Sequence, residues 1–308
     1  MRLLFFGMDG AFSYPPLAAI LKAIKTGQSA QLEVAAVMLP ASAVPNIKFT
    51  GSIRLLPPER PHSALPLIQP YLAENIIHLA WANGIPVALV RDMKDTAVHS
   101  FLADLQPDIA CAACFPYWIP PYILAIPQYG FLNLHPSLLP AYRGPSPLFW
   151  IFRNGDQEKG GVTLHWMDVG LDSGDIVSQR PLTLPDGISG PDADRLCASL
   201  GGEMLLTALE QIKRGEAPRR PQPPGGSYYP QPTAEAFALE SSWSARRAFN
   251  FMRGTAEWNH PYTLHIGSQT LTLTTADSYH PTLMLPQPIE EKDGRYLIQF
   301  TPGVLITY

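Results

Sequence analysis

The residues richest in chemistry stand in two stretches. In the first, residues 131–144, Phe-Leu-Asn-Leu-His-Pro-Ser-Leu-Leu-Pro-Ala-Tyr-Arg-Gly, an apolar run ends in polar residues and passes into a Pro- and Gly-containing loop. Asn133 and His135 are two apart, so on a strand they face the same side, where an amide and an imidazole can converge on one ligand atom. For an isolated pair, hydrogen bonds that merely cap the strand end are the preferred reading. The second stretch, residues 161–176, reads Gly-Val-Thr-Leu-His-Trp-Met-Asp-Val-Gly-Leu-Asp-Ser-Gly-Asp-Ile. It is a strand followed by a loop with Asp168, Asp172 and Asp175. Three carboxylates suggest a cation, yet hard-cation loops need more oxygen ligands at tighter spacing, so no metal is expected. Taken one by one, aspartates beside Gly170 and Gly174 serve turns.

Polar residues at a strand's carboxyl end mark the ligand crevice of an open α/β sheet, and the surrounding chain supplies such a sheet. Short, near-continuous apolar runs at 2–6, 33–39, 86–90, 108–113 and 130–134 have the character of strands covered on both faces. Between them, 17–26, 70–83 and 96–105 read as helices. The fold class expected is α/β, a Rossmann-like open and mostly parallel sheet, with a smaller, mainly β domain after it. Residues 40–70, rich in proline and without period, form an extended insertion loop. A second break follows Lys213, where Gly215 to Pro232 is dense in Pro and Gly. The division is therefore 1–213 catalytic, 214–232 linker and 233–308 C-terminal. In the last part, 243–253 reads as a helix and 262–266, 271–275 and 296–300 as strands.

Composition narrows the class. With 308 residues, 46% hydrophobic and 16% charged, the chain has material for a real core and too little charge for disorder. A formal charge of -4 creates no global attraction for polyanions. Residues 2–6 are followed at once by Gly7 and Asp9, which is too short for a signal-peptide core, and no apolar stretch reaches membrane-spanning length. A cytoplasmic location is expected, with no membrane partner. Cys111 and Cys114 have redox or half-zinc spacing, but without a second pair they read as small residues of a buried strand.

Together the two stretches are far more specific than either alone, and the chain resembles the folate-dependent formyltransferase family, above all its members acting on methionyl-tRNA. The family's Asn-x-His strand end, its Ser-Leu-Leu-Pro-x-Tyr-Arg-Gly loop and its Gly-Leu-Asp-Thr-Gly-Asp loop match here, with Ser173 in place of the family threonine. The resemblance implies Asn133, His135 and Asp172 as catalytic residues and 10-formyltetrahydrofolate as formyl-donor cosubstrate. It also implies folate contacts from Ser137, Leu138, Leu139 and Pro140. The aromatics after the fourth parallel strand, Phe115 and Tyr117 with Trp118, fall at the family's pterin-facing loop. Ordinary core packing explains them as well, and the family's Ala-Tyr-Gly is replaced.

The chemistry fits those residue types. When an amine attacks the formyl carbon, charge develops on the carbonyl oxygen and on nitrogen. Asn133 and a protonated His135 can donate to the oxyanion. Asp172 can orient the imidazole and accept a proton through water. For the acceptor, the amino group of methionyl-initiator-tRNA stands first. From Leu205 to Tyr308, however, nine Lys and Arg face nine Asp and Glu, and only Arg219-Arg220 and Arg246-Arg247 suggest a phosphate patch. The insertion loop holds just Lys48, Arg54 and Arg60 as bases. A small amine such as an amino sugar is the alternative, followed by formyl-folate hydrolysis and by a non-catalytic family member.

Overall fold

The structure is a computed structural model that describes every residue except 45–46, 59–74 and 293. By packing, the chain separates into two compact units. One comprises residues 1–143, 161–180 and 195–226; the other comprises 144–160, 181–194 and 227–308.

The first unit is built on an eight-stranded sheet. Its strands are β1 (Arg2–Gly7), β2 (Glu33–Pro40), β3 (Ile53–Leu56), β4 (Val87–Val90), β5 (Ile109–Ala113), β6 (Phe131–His135), β7 (Gly161–Trp166) and β8 (Ile176–Pro181), in the order β3-β4-β2-β1-β5-β6-β7-β8. The strands from β4 to β6 pair in parallel, whereas β3 and β7 join antiparallel. The parallel strands are buried on both faces, β5 in all five residues, which is why they read as unbroken apolar runs. The chain winds outward from β1 through β2 to β4 and then returns to β5, so the reversal of strand order falls between β1 and β5, where open α/β sheets bind ligands. There the Ser13 hydroxyl donates to the Ala113 carbonyl (2.6 Å) and accepts from the Met8 N–H (2.9 Å).

Helices α1 (Tyr14–Lys25), α2 (Ile76–Trp81) and α3 (Thr96–Asp104) lie in the crossovers. Helix α1 starts three residues earlier than expected because Pro15 and Pro16 occupy its first turn, where a missing N–H costs nothing. Helix α2 is shorter than the expected 70–83. Asn75 caps it by accepting from Ile77 N and His78 N, and residues 70–74 lie outside the described residues. The insertion loop is not uniformly irregular, since Ile53–Leu56 pairs with β4 as an edge strand. Its half-exposed Ile-Arg-Leu-Leu is too short to show a period, and the rest of that loop from residue 59 lies outside the described residues. Among the described residues no helix is long and apolar enough to cross a membrane.

The second unit has an aromatic core. Phe149, from a helix at Pro147–Asn154, sits 5.1 Å from Phe237, 5.4 Å from Phe251 and 5.1 Å from Trp258, and Phe251 lies 5.6 Å from Tyr262. Such contacts draw residues 144–160 into this unit, although they precede the boundary expected at 213. Around the core lie the helix Ala245–Gly254, capped by Ser244, a three-stranded sheet and a four-stranded antiparallel sheet. The mainly β character expected for this part is present.

The stretch expected as a linker is held down along much of its length. In the first unit the Trp166 indole donates to the Pro218 carbonyl (3.0 Å), and Arg220 exchanges backbone hydrogen bonds with Ile176 (2.7 and 3.1 Å). In the second, the Trp150 indole donates to the Pro230 carbonyl (2.9 Å) and its ring stacks on Tyr229. Proline-rich chain makes few hydrogen bonds of its own, so its carbonyls remain available to such donors.

Candidate active site

The side chains of Asn133 and His135 project from β6, and β7 pairs beside it with Asn133 opposite His165 and His135 opposite Thr163. Residues directly opposite in an antiparallel pair share a face, so the strand register brings a second histidine next to the expected pair. The Asn133 Nδ2 group lies 3.1 Å from His165 Nε2 and 3.4 Å from Asp172 Oδ1. His135 Nδ1 lies 3.6 Å, and His165 Nε2 3.8 Å, from that same carboxylate oxygen. Three residues from two strands thus converge on one atom of the Asp172 loop. His135 and His165 are nearly fully buried, and the Asp172 side chain is 17% exposed.

The two imidazoles differ in what their second nitrogen meets. His135 Nε2 is 2.8 Å from the Tyr142 carbonyl; a carbonyl only accepts, so Nε2 carries hydrogen and Nδ1 is the nitrogen turned to Asp172. In His165 it is Nδ1 that donates, to the Trp166 carbonyl at 2.9 Å, which leaves an Nε2 lone pair to accept from the Asn133 amide. Burial pushes His165 down to about 4, against the pull of Asp172 and with the help of His135. It is therefore a neutral acceptor at ordinary pH. The contact sets which way the Asn133 amide points. The residue was overlooked in the sequence because its meaning lies in cross-strand register, although a polar residue inside the apolar run of residues 161–166 was a signal.

The loop that delivers Asp172 is tied on several sides. The Asp168 carboxylate accepts from the Ser173 hydroxyl (2.8 Å) and the Gly170 N–H (3.0 Å), so Asp168 serves the turn. Trp166 N donates to the Asp175 carbonyl at 2.8 Å. Gly174 packs so closely that a Cβ would collide with the Trp166 carbonyl. Asp172 itself holds φ at 51°, a left-handed conformation uncommon outside glycine and asparagine.

The residues expected to meet folate fall into two groups. Along 137–140, Ser137 and Leu139 are buried while Leu138 and Pro140 are partly exposed. The Ser137 hydroxyl donates to the Ala141 carbonyl (2.7 Å), and the Leu139 carbonyl accepts from Gln179 Nε2 (2.7 Å). This loop is thus braced internally, its partly exposed surface being Leu138 and Pro140. Phe115 and Tyr117 are partly exposed at the end of β5. Phe115 packs edge-on against Phe6 (5.1 Å) and Tyr117 (5.5 Å), so they extend the apolar core outward. Burial pushes the Cys111 thiol up, which removes it from thiolate chemistry.

The four arginines considered for phosphate contact are all engaged. The Arg219 guanidinium lies over the Trp166 ring at 3.9 Å, and Arg220 donates to the Val177 carbonyl (3.3 Å). Arg246 pairs with Asp186 at 2.9 Å, and Arg247 lies over Trp243 at 3.9 Å.

Comparison with known proteins gives one answer at two levels. Residues 68–192 match the family model described as Formyl transferase. A methionyl-tRNA formyltransferase of Moorella thermoacetica is 34% identical over 271 residues, which are 87% of this chain and 78% of that protein. One of Pelotomaculum thermopropionicum is 37% identical over 179 residues, 58% of this chain and 57% of the relative; the matched part thus spans little more than half of that relative's length. A solved structure of an N-formyltransferase from Helicobacter canadensis, in complex with folinic acid and dTDP-3-aminofucose, superimposes with a TM-score of 0.67 at 16% identity, covering 100% of this chain and 98% of that one. At that identity the likeness establishes the fold alone. With the Moorella relative matched across more than three quarters of its length, the chain belongs to the folate-dependent formyltransferase family.

Proposed function

We propose that this protein transfers the formyl group of 10-formyltetrahydrofolate to the amino group of methionyl-initiator-tRNA, with Asn133, His135 and Asp172 as its catalytic residues. The carrying observation is the convergence of Asn133, His135 and His165 on Asp172 Oδ1 at 3.4 to 3.8 Å. The catalytic work is assigned to residues 1–213, which hold all four side chains.

In this reading the amine attacks the formyl carbon, a C–N bond forms, and the carbonyl oxygen becomes an oxyanion. The Asn133 amide has two hydrogens. One is held by neutral His165, and the other, on the side of Asp172, is offered to the oxyanion. The proton of the new ammonium passes through water to Asp172. Collapse of the intermediate breaks the bond to folate N10, and His135, donating from Nδ1, returns a proton to the leaving nitrogen. His135 is then reprotonated from Asp172, which closes the cycle without a covalent enzyme intermediate. The pterin meets Phe115, Tyr117, Leu138 and Pro140, with Ser137 and Leu139 shaping the loop behind them.

The relatives named for methionyl-tRNA support the acceptor. The engagement of Arg219, Arg220, Arg246 and Arg247 within the protein favours the second reading, a small amine such as an amino sugar. The deciding experiment is formyl transfer from 10-formyltetrahydrofolate to methionyl-initiator-tRNA, with folate product followed separately without acceptor. Formyl-methionyl-tRNA at substantial turnover is the expected result. No transfer by folded, folate-binding protein moves the reading to a small amine, and folate product formed without acceptor moves it to hydrolysis.

A further inference from the structure

Asp172 is restrained from beyond its own loop as well as within it. Its backbone is held in the left-handed region, and its carboxylate must stay aimed at three residues on β6 and β7. The Asp168 turn ties Gly170 and Ser173. The Asp172 backbone carbonyl is held from outside the loop, by Gln222.

Gln222 uses both amide hydrogens on this loop. Its Nε2 donates to the Asp172 carbonyl at 2.7 Å and to the Gly174 carbonyl at 2.9 Å. Its Oε1 accepts from Arg143 Nη2 at 2.6 Å, and Arg143 Nε donates to the same Asp172 carbonyl at 3.3 Å. The side chain that grips the loop is thus itself oriented by Arg143. The backbone around Gln222 is anchored too, through the Arg220 exchange with Ile176, the Arg219 stack on Trp166 and the Pro218 carbonyl. We propose that Gln222, in the Pro-rich stretch after Lys213, is a positioning residue that clasps the Asp172 loop and, with Arg143, keeps the Asp172 carboxylate aligned with His135 and Asn133.

A primary amide is specified at this position. Glutamate keeps the Arg143 contact but turns an acceptor oxygen toward the two carbonyls, and methionine keeps the volume while making no N–H bond. If Gln222 only fills space, Gln222→Met is silent and Gln222→Glu is mild. If it clasps the loop, both lower kcat roughly 10- to 100-fold, as a small misplacement of reacting groups does, while KM for the formyl donor changes less than about threefold. In an Asp172→Asn background the Gln222→Met effect then largely disappears, because the two residues act through one unit. Additive effects, or unchanged kcat in both single variants, overturn the clasp.

The assignment rests on the proposed catalytic role of Asp172, so one readout is independent of turnover. The imidazole resonances of His135 are titrated by NMR in wild type, Gln222→Met and Asp172→Asn, with thermal unfolding confirming that each is folded. A clasp moves the His135 titration midpoint in Gln222→Met toward that of Asp172→Asn. A midpoint equal to wild type overturns it, whether or not any acceptor is formylated. A shifted midpoint in a chain that formylates nothing keeps the clasp and rejects the proposed reaction.

Discussion

Asp172 in the first unit and Asp186 in the second each gather several polar side chains, and they do so in opposite ways. Asp186 is saturated. Arg246 Nε donates to both its oxygens at 2.9 Å, Asn250 Nδ2 donates at 2.9 Å and the Tyr279 hydroxyl at 3.0 Å. Burial works to raise this carboxyl, but the hydrogen bonds from Arg246, Asn250 and Tyr279 outweigh it and hold it below its usual value. Around Asp172, Asn133, His135 and His165 stand 3.4, 3.6 and 3.8 Å from Oδ1, while Gln222 donates to the backbone carbonyl at 2.7 Å. A carboxylate gripped by an arginine, an amide and a hydroxyl rivets a structure; one set beside two imidazoles and an amide stands next to groups that exchange protons.

That contrast is broken most directly at Asp172. Asp172→Ala or His135→Ala should lower formyl transfer by about 10²- to 10⁴-fold, the usual contribution of a positioned acid or base, with far-UV circular dichroism unchanged. Single-turnover rates near wild type in either would place the chemistry elsewhere. Asn133→Ala should cost about 10²- to 10³-fold, the scale of one oxyanion donor, read as a fall in kcat with KM for the folate nearly constant.

The buried neutral imidazole sharpens the comparison through pH. His165 has a folded-state value of about 4 against an ordinary 6.5, so between those values the unfolded chain binds more protons than the folded one. Stability should be complete above pH 6.5 and fall as pH drops toward 4, by up to about 3 kcal/mol. His165→Gln, which keeps an acceptor for Asn133 and does not titrate, should flatten that part of the curve in urea unfolding. A wild-type curve that is already flat would mean that His165 is not held neutral.

At the saturated carboxylate the effects are smaller and fall on stability. Arg246→Ala removes a half-exposed ion pair and should cost at most about 1 kcal/mol. Asp186→Ala also leaves the buried Asn250 amide without its acceptor and should cost about 1 to 3 kcal/mol. Both should leave KM for methionyl-tRNA unchanged. An acceptor-specific rise in KM for Arg246→Ala would return this arginine to a phosphate-binding role.

Much of the architecture was legible in the chain because its cause is local. Strands covered on both faces must be apolar throughout, so β1, β2, β4, β5 and β6 were found within one or two residues. The two-residue spacing of Asn133 and His135 placed both on one face without a structure. The edge strand Ile53–Leu56 was missed because a four-residue strand, exposed at its middle two positions, shows no period. The arginine pairs fitted a phosphate patch or solvated positions equally in the sequence, which does not show that Trp166, Trp243 and Asp186 stand beside them.

What the sequence alone determined is the set of candidate groups proposed to react, an amide, an imidazole and a carboxylate in two family-specific motifs, together with the α/β framework that ends a strand beneath them. Strand register and long-range hydrogen bonds decided the rest. Only the antiparallel pairing of β6 and β7 sets His165 against Asn133, and only the return of the chain 50 residues later puts the Gln222 amide on the Asp172 carbonyl. Both depend on partners distant in sequence, and a residue's type and spacing carry no record of which distant neighbour will complete its hydrogen bonds.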